Sequence, residues 1–558
     1  GVGEGDAVAI QLPKGPDQVV AALGVLAAGA TYVPIGFDQP TARRDTILST
    51  ADAVAVLCTD PHRFADRNVV ALHIATATTY SEPITAPVLV DPEIPAYVLF
   101  TSGSTGTPKC VEVPHRAAMN TIDDLNERFG IGPADRALAL SALEFDLSVY
   151  DIFGLLSAGG TVVTLDDEER ADPAVWVKLI DRHRVSLLNC VPSLLDMLLT
   201  AAGDDLAHSL RVVLLGGDWV GADLPRRLAR QAPGCRFAGL GGATETAIHS
   251  TICETSDPPA DWAAIPYGTP LRNVLCRVVD QRGNDCPDWV TGELWIGGGG
   301  VALGYRNDPQ RTAERFVEWD GRRWYRTGDL ARYWPDGTLE FLGRADHQVK
   351  IRGYRVELGE VEGALRSLLG VRRAVAAVVG RTAPKLTAAV TLTNESEVTT
   401  ADLVAGAAKL LPAYMVPTRI EIMGEFPLTA NGKLDRKAIH VALAIDDDEV
   451  GFVAPRTQLE TAVARIVAEV LDLPRVGVTD DFFALGGDSV LATSVIARIR
   501  EWLDAPQAIV SDIFAARTVA ELAARIDGRD SVPGRLEQVA RIYLEIAELD
   551  DEALLSDA

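Results

Sequence analysis

The chain lacks the cysteine and histidine spacings that indicate a metal centre or a disulfide framework. It has seven cysteines and eight histidines in 558 residues, with no CxxC pair and no HExxH spacing. This pattern argues against a structural zinc and against a disulfide scaffold. It fits a reducing compartment, so the expected location is the cytoplasm.

The sequence also lacks an apolar run long enough to cross a membrane. Its most apolar stretch, residues 19–33, is interrupted by Gly24 and Gly29 and followed by Pro34. A membrane-spanning helix needs about 20 apolar residues, so this stretch predicts a buried helix leading into a strand. The N-terminus has no basic region or cleavage site of a signal peptide, and it begins as if within a domain.

Positive charge is scarce. Lysine and arginine total 52 against 78 aspartates and glutamates, a formal net charge of −26. Such a field repels nucleic acid and anionic membranes, so neither is an expected partner. A small phosphate-bearing ligand stays possible, because a local site can be positive in an acidic protein.

What is present is a long alternation of helical stretches and short β-rich runs up to about residue 345. This alternation predicts parallel sheets with helical crossovers, an α/β large domain. A smaller α+β unit follows to residue 445, then an acidic linker at 446–456 and an all-α segment at 457–528. The helical spacing of apolar residues in the tail, 529–558, fits either a docking helix or a locally packed one.

A loop rich in glycine and hydroxyl groups follows the apolar strand at residues 96–100. Its glycines leave backbone N–H groups free to face an anion, its hydroxyls add donors, and its lysine adds a charge. The spacing is not that of a Walker loop, so the sequence predicts a different phosphate cradle. The candidate phosphate-binding residues are Thr101, Ser102, Gly103, Ser104, Thr105, Gly106 and Lys109.

The loop resembles the signature loop of the adenylate-forming superfamily, and the chain resembles the adenylation domain of a nonribosomal peptide synthetase. Nine stretches in the family's order carry the resemblance. It implies an adenylation core at 1–345, with its N-terminal part outside this chain, and a C-terminal subdomain at 346–445. The stretches are VLAAGATYVP (25–34), TSGSTGTPK (101–109), FDLSVYDIF (145–153), GGATE (241–245), GELWIGGGGVALGY (292–305), YRTGDL (325–330), GRADHQVKIRGYRVE (343–357), LPAYMVP (411–417) and NGKLDR (431–436).

The resemblance implies an amino-acid adenylating ligase that uses ATP and Mg²⁺. A carboxylate must attack the α-phosphorus of ATP, and because both are anions, catalysis must come from positioning and charge neutralisation. By resemblance, Lys433 bridges the substrate carboxylate and the α-phosphate. Glu245 then holds Mg²⁺ and Thr244 contacts phosphate. The remaining implied ATP-binding residues are Gly241, Gly242, Tyr325, Asp329 at the ribose hydroxyls, and Arg344.

This chain departs from the family at two positions. Gly241 stands where the family usually has an aromatic residue that stacks on adenine, so stacking is weaker or comes from elsewhere, with Tyr325 as the candidate. Cys110 stands where a glycine usually follows the loop lysine. We interpret it as an exchange between small residues and not as a nucleophile, because nothing nearby in the sequence would activate it.

The resemblance also implies a hinge and a carrier. Asp346 matches the family's hinge, about which the small unit would swing between delivering Lys433 and presenting residues 348–355 for thioester formation; a rigid turn is the alternative. The stretch DDFFALGGDS, residues 480–489, resembles the attachment site of a four-helix peptidyl carrier domain. It implies 4′-phosphopantetheine on Ser489, although a serine at a helix start is ordinarily an N-cap.

Alignment with the family's substrate pocket implies that Asp146 pairs with a substrate ammonium, which makes the substrate an α-amino acid. The opening Asp-Leu-Tyr-Asn resembles pockets that select cysteine, whereas Gly216 and His249 depart from them. We expect cysteine, with threonine, serine, glycine and alanine as alternatives, and His249 could be a wall residue without substrate contact. The other pocket positions are Leu147, Tyr150, Asn189, Leu214, Leu240 and Ile248, together with Lys433.

Two other functions stay open, an acyl-CoA ligase and a catalytically silent scaffold that displays a carrier. The chain has no HHxxxDG condensation motif and no GxSxG thioesterase motif, so peptide-bond formation and release must lie elsewhere. The expected partners are therefore condensation, cyclisation or thioesterase domains, a phosphopantetheinyl transferase and, in some relatives, an MbtH-like activator.

Overall fold

The structure is a computed structural model of the chain. It comprises a large α/β unit, a small α+β unit and a helical unit, which confirms the predicted fold class. No helix in the described part of the chain is long and apolar enough to span a bilayer. The described residues are 2–79, 84–101, 108–203, 206, 208–262, 264–345, 348–351, 354–379, 385–393, 398–427, 434–444, 452–471, 473–483, 485, 487 and 489–556.

The described part of the large unit contains two seven-stranded sheets and one five-stranded sheet. Its strands are β1 (Ala7–Gln11), β2 (Thr31–Pro34), β3 (Ala53–Cys58), β4 (Val70–His73), β5 (Pro95–Thr101), β6 (Lys109–Pro114), β7 (Arg136–Leu138), β8 (Thr161–Val163), β9 (Leu187–Cys190), β10 (Val212–Leu215), β11 (Arg236–Gly241), β12 (Thr251–Glu254), β13 (Thr269–Pro270), β14 (Val274–Val279), β15 (Gly292–Gly298), β16 (Gly304–Tyr305), β17 (Phe316–Trp319), β18 (Arg322–Tyr333) and β19 (Leu339–Arg344).

The first sheet has the strand order β16-β6-β5-β2-β1-β3-β4, and the second has β13-β12-β11-β10-β9-β7-β8. Strands β9, β10 and β11 run parallel. They are apolar on both faces because helices cover both faces of the sheet. In β10, Val213 packs into one apolar cluster and Leu214 into another. The candidate substrate pocket lies on the face of Leu214.

The helices of the large unit connect and cover these sheets. They are α1 (Pro16–Ala27), α2 (Thr41–Thr50), α3 (Ile74–Thr78), α4 (His115–Phe129), α5 (Leu147–Val149), α6 (Leu155–Ser157), α7 (Asp167–Arg170), α8 (Pro173–His183), α9 (Pro192–Ala202), α10 (Asp223–Gln231) and α11 (Pro309–Arg315), with 3-10 turns at Pro61–Phe64 and Thr244–Thr246 and a π turn at Tyr150–Gly154.

Among the described residues, two buried ion pairs join the small unit to the large one. Lys109 Nζ lies 2.7 Å from Glu357 Oε1, and Arg43 contacts Glu360. Its elements are the hairpin β20 (Gln348–Ile351) and β21 (Tyr354–Glu357), helix α12 (Leu358–Arg366), strands β22 (Val371–Val379) and β23 (Lys385–Leu392), helix α13 (Thr400–Ala408), a 3-10 turn at Ala413–Met415, strand β24 (Arg419–Ile422) and helix α14 (Arg436–Ala444).

The helical unit has its own apolar core, to which the tail contributes. Leu536 and Ala540 of the tail are fully buried in this core, and Tyr543 stacks on Trp502. Local packing is therefore what the structure shows for the first half of the tail helix. The helices are α15 (Gln458–Leu471), α16 (Ser489–Trp502), which lies alongside α9, α17 (Ser511–Ala515), α18 (Val519–Asp527) and α19 (Arg535–Ser556).

Candidate functional site

The site is built at the carboxyl ends of β9, β10 and β11, the edge where open α/β sheets bind ligands. After β11 the chain makes a tight turn, in which a Cβ on Gly242 would lie 2.8 Å from the carbonyl oxygen of Ile248. Only glycine allows this approach. Ala247 and Ile248 then have φ values of +56° and +73°, a left-handed conformation that costs free energy in a β-branched residue. This strained turn places His249 against the end of β10.

Three of the predicted residues, Asp146, Thr244 and Glu245, lie together. A hydrogen bond links the first two, and the third follows Thr244 in the sequence. Thr244 donates from Oγ1 to Oδ2 of Asp146 at 2.9 Å. The next residue, Glu245, is fully buried and accepts a hydrogen bond of 2.9 Å from the hydroxyl of Tyr305. The turn Thr244–Thr246 therefore joins the predicted ammonium partner to the predicted Mg²⁺ ligand.

The donor set at Glu245 fits magnesium. Among the described residues, no group of three or more aspartate, glutamate, histidine or cysteine side chains forms a metal cluster. A buried carboxylate by itself suits Mg²⁺, which usually takes one or two carboxylates and completes its shell with water and substrate phosphates. Glu245 would hold the ion, and the ion would neutralise phosphate charge.

Asp329, which we expect at the ribose hydroxyls, is paired with Arg344. They are directly opposite each other in strands β18 and β19, and Arg344 Nη1 lies 2.6 Å from Asp329 Oδ1. Arg344 also lines a cavity of about 760 Å³. The aromatic side chains in its wall are Trp219, Trp262, Tyr267, Trp289, Trp334 and Phe341.

Tyr325, expected to supply adenine stacking, is not among the residues that line this cavity. It is 1% exposed, and its ring packs against Phe316 at a centroid distance of 5.1 Å. In this structure Tyr325 is a core residue of the large unit. The aromatic residue that lines the cavity beside Gly241 is Tyr267, which belongs to none of the nine sequence motifs.

Lys109 is bound by the small unit in this structure. Its ammonium is buried and pairs with Glu357 at the end of the β20–β21 hairpin. Thr101 lies opposite Lys109 in the β5–β6 pair. Other predicted residues, namely Ser102, Gly103, Ser104, Thr105, Gly106, Asp346 and Lys433, lie outside the described residues. Helix α16 begins at Ser489, whose side chain is outside the description.

The predicted pocket residues come together on one face of the second sheet. Leu147, Tyr150, Leu214, Leu240 and Ile248 all belong to one buried apolar cluster. Within this group, Tyr150 is held in place by the π turn and by its hydroxyl, which donates to Asn126 Oδ1 at 3.0 Å. Tyr150 is thus a fixed and fully buried member of this cluster.

Asn189 is oriented by the elements around it. Its Nδ2 donates to the carbonyl oxygen of Leu147 and to Oδ1 of Asp151, both at 3.0 Å. Asp151 is fully buried, and this burial raises the pKa of its carboxyl group. Within the described part of the chain, Asn189 Oδ1 is buried without a hydrogen-bond partner. It is therefore a fixed, buried acceptor whose hydrogen-bonding capacity is unused among the described residues.

His249 fits into the pocket wall because residue 216 is glycine. A Cβ on Gly216 would lie 2.5 Å from Cε1 of His249. The imidazole is 1% exposed, and burial lowers its pKa to about 3, so the ring is neutral at physiological pH. Its Nε2 is buried without a partner among the described residues. Gly216 and His249, the two departures from pockets that select cysteine, are thus one structural feature.

Comparison with known proteins assigns the class. A profile described as AMP-binding enzyme matches residues 1–306, its C-terminal domain matches 360–433, and a phosphopantetheine attachment site matches 461–526. The chain belongs to the AMP-binding enzymes, as the adenylation domain of a nonribosomal peptide synthetase fused to a peptidyl carrier domain. It is an amino-acid adenylating ligase that uses ATP and Mg²⁺ and carries 4′-phosphopantetheine.

Curated relatives of this chain are longer than the chain itself. The chain is 53% identical to phenyloxazoline synthase MbtB of Mycobacterium sp. (strain MCS), over all of this chain and 48% of the relative. It is 52% identical to pyochelin synthetase PchE of Pseudomonas aeruginosa, over 68% of this chain and 26% of the relative. The chain thus spans about half or less of the curated relatives it matches.

A solved structure resembles nearly the whole chain. It is an NRPS protein containing adenylation and PCP domains, bound to a vinylsulfonamide inhibitor. The match has a TM-score of 0.78 and 28% identity, and it covers 96% of this chain and 90% of that one. The order of adenylation and carrier units is therefore shared with a known structure.

Proposed function

We propose that the chain activates cysteine, or a closely related small α-amino acid, and loads it onto its own carrier domain. The observation that carries the proposal is the pocket in which Asp146 lies beside Thr244 while two buried polar atoms of the wall have no described partner. Asp146 would pair with the substrate ammonium, and the wall would bind a polar side chain.

The reaction has two steps. The substrate carboxylate attacks the α-phosphorus of ATP, and pyrophosphate leaves with the electrons of the broken P–O bond. Ser489 would carry 4′-phosphopantetheine, whose thiol would supply the acceptor for the aminoacyl group in the second step, with AMP as the leaving group. In this scheme Lys433 and Lys109 offset phosphate charge, Glu245 holds Mg²⁺, and Asp329 orients the ribose.

The pocket favours a side chain that forms hydrogen bonds. Asn189 Oδ1 accepts a hydrogen bond, and the neutral His249 Nε2 accepts or donates according to its tautomer. An alanine or glycine substrate would leave both groups unpaired in a closed site, which costs free energy. A thiol or hydroxyl on the β-carbon would pair with them.

Serine and threonine are the competing substrates. The relatives from mycobacteria are named for a phenyloxazoline, and an oxazoline ring contains oxygen where a thiazoline contains sulfur. A β-hydroxy amino acid would supply that oxygen. We also propose that the chain works in the cytoplasm as part of a longer synthetase. There it would act with a phosphopantetheinyl transferase, with condensation, cyclisation or thioesterase domains and, where one is needed, with an MbtH-like activator.

Amino-acid-dependent ATP–pyrophosphate exchange tests the proposal. Cysteine, serine and threonine should exceed alanine and glycine by about tenfold or more, since a site built for a hydrogen bond rejects analogues that lack it. His249→Ala and Asn189→Ala should reduce that preference. Lys433→Ala should abolish exchange, whereas Ser489→Ala should retain exchange and prevent loading, measured by intact mass.

Other results would contradict the proposal. No exchange with any amino acid would leave a silent scaffold as the better description. Exchange with carboxylic acids that lack an amino group, followed by release of a CoA thioester, would favour an acyl-CoA ligase. Equal exchange with alanine and cysteine would contradict the role of the two polar wall residues.

A further inference from the structure

Gly241 has no side chain, and Tyr267 fills the space beside it. A Cβ on Gly241 would lie 2.8 Å from Cγ of Tyr267 and 2.5 Å from Oγ1 of Thr251, closer than such atoms approach. An aromatic side chain at residue 241 and the present position of Tyr267 therefore exclude each other. The ring of Tyr267, in the loop before β13, thus occupies the space that an aromatic side chain at residue 241 of β11 would need.

The backbone holds Tyr267 in this place. The next residue, Gly268, has a φ of +77°, and a Cβ there would lie 2.0 Å from the carbonyl oxygen of Ile252. Any other residue at 268 would push the loop away from β12. Because Gly268 also exchanges backbone hydrogen bonds with Leu339, the loop is fixed between β12 and β19.

Tyr267 forms an aromatic wall with residues from two other elements. Its ring is stacked on Phe341, with centroids 5.0 Å apart and planes 12° apart. Phe341 in turn meets the edge of Trp219 at 6.0 Å. All three line the cavity that Arg344 also lines, and Arg344 is the partner of Asp329. The wall therefore lies next to the predicted ribose site.

We propose that Tyr267, backed by Phe341, supplies the aromatic face on which the purine of ATP stacks in this chain. The inference rests on the proposed function, since it assumes that the cavity binds ATP. Its volume of about 760 Å³ lies within the range of about 300–1,000 Å³ for small-molecule sites. An aromatic ring can stack on a base wherever its face is presented, so the ring can move to another element while the binding mode is kept.

Two variants of Tyr267 in the full chain test the role of the ring. Tyr267→Ala should raise the KM for ATP in pyrophosphate exchange about tenfold, the scale found for loss of one base–aromatic stack. The KM for the amino acid should not change. Tyr267→Phe should behave like the wild type, because it keeps the ring. Phe452→Ala, which removes an exposed ring of the segment before the carrier, is the matched control.

A swap of the two positions gives a sharper test. Gly241→Tyr should fail to bind ATP because of the collision with Tyr267, and Tyr267→Gly should bind it weakly. The double variant, Gly241→Tyr with Tyr267→Gly, should regain most of the ATP affinity when Thr251→Ala, carried by all three variants, removes the hydroxyl that a Cβ at residue 241 would otherwise meet. If the double variant is no better than either single one, while circular dichroism shows that all three are folded, the proposal is overturned.

Calorimetric titration with ATP and Mg²⁺ separates this inference from the proposed function. If the wild type gives no exchange with any amino acid, the proposed function fails, yet the dissociation constants of the wild type and of Tyr267→Ala still decide the role of the ring. Equal constants for the two proteins would overturn the proposal. A constant about tenfold higher for Tyr267→Ala would support it.

Discussion

The pocket wall at Gly216 and His249 shows how two residues act as one feature. The imidazole occupies the space that a side chain at residue 216 would need, so the two identities are coupled. The strained backbone at Ala247 and Ile248 adds to this coupling because it fixes where His249 begins. A histidine that is neutral, buried and held in this way can select a substrate by hydrogen bonding.

Gly216→Ala should destabilise the protein by about 1–3 kcal/mol, the usual cost of adding a methyl group to a packed interior. It should also lower pyrophosphate exchange, since His249 must move. Adding His249→Ala should restore much of the lost stability, which denaturant unfolding would measure. Gly24→Ala is the control, because a Cβ in that helix meets nothing within 4 Å. Additive effects of the two substitutions would contradict the coupling.

Helix α12 and the β20–β21 hairpin relate the small unit to the large one. Glu360 of α12 contacts Arg43 of the large unit, whereas Glu362 binds Arg436 at 2.7 Å. Residues two positions apart on a helix are separated by about 200° around the helix axis. The carboxylates of Glu360 and Glu362 therefore lie on opposite sides of α12. The side with Glu360 faces the large unit. The segment that follows Lys433 is attached to the other side.

Glu357 should matter more for loading than for adenylation. In this structure Glu357 binds Lys109, which we expect to contact phosphate in the first step. We therefore propose that the ion pair stabilises the pose in which the β20–β21 hairpin is presented for thioester formation. Glu357→Gln should slow loading of Ser489 several-fold in single-turnover measurements and retain pyrophosphate exchange. Glu254→Gln, which breaks a half-exposed pair with Arg236, should change neither rate. An equal fall in both rates after Glu357→Gln would contradict this interpretation.

The whole molecule consists of units with separate apolar cores. The core of the helical unit draws on residues 459–540, and the largest core of the adenylation unit draws on residues 8–339. Glu537 of α19 accepts hydrogen bonds from the backbone N–H groups of Gln458 and Leu459, so the tail caps α15. The tail is therefore part of the helical unit's stability.

We predict that the chain unfolds in more than one thermal transition, since domains with their own cores usually unfold as units. A fragment of residues 452–558 should be helical by circular dichroism and unfold cooperatively. The same fragment with Glu537→Ala should be less stable by about 1 kcal/mol, the usual cost of losing a helix cap. A single calorimetric transition together with an unfolded fragment would contradict the prediction.

The sequence alone determined the fold class and the class of enzyme, because apolar periodicity and contiguous motifs are local. Strand and helix positions such as β10 and α16 follow from runs of a few residues, and Asp329 and Glu245 lie inside such motifs. The structure brings Asp146 next to Thr244, and Asp329 next to Arg344.

Only the tertiary structure decided which residues, distant in the sequence, pack against each other or form an ion pair. Tyr267 and Gly241 are 26 positions apart, as counted along the printed sequence, and nothing local to either predicts that one ring fills the other's space. The same holds for His249 and Gly216, and for Lys109 and Glu357. Excluded volume and buried charge act between side chains in space, so these pairings exist only once the sheets and the small unit have packed together.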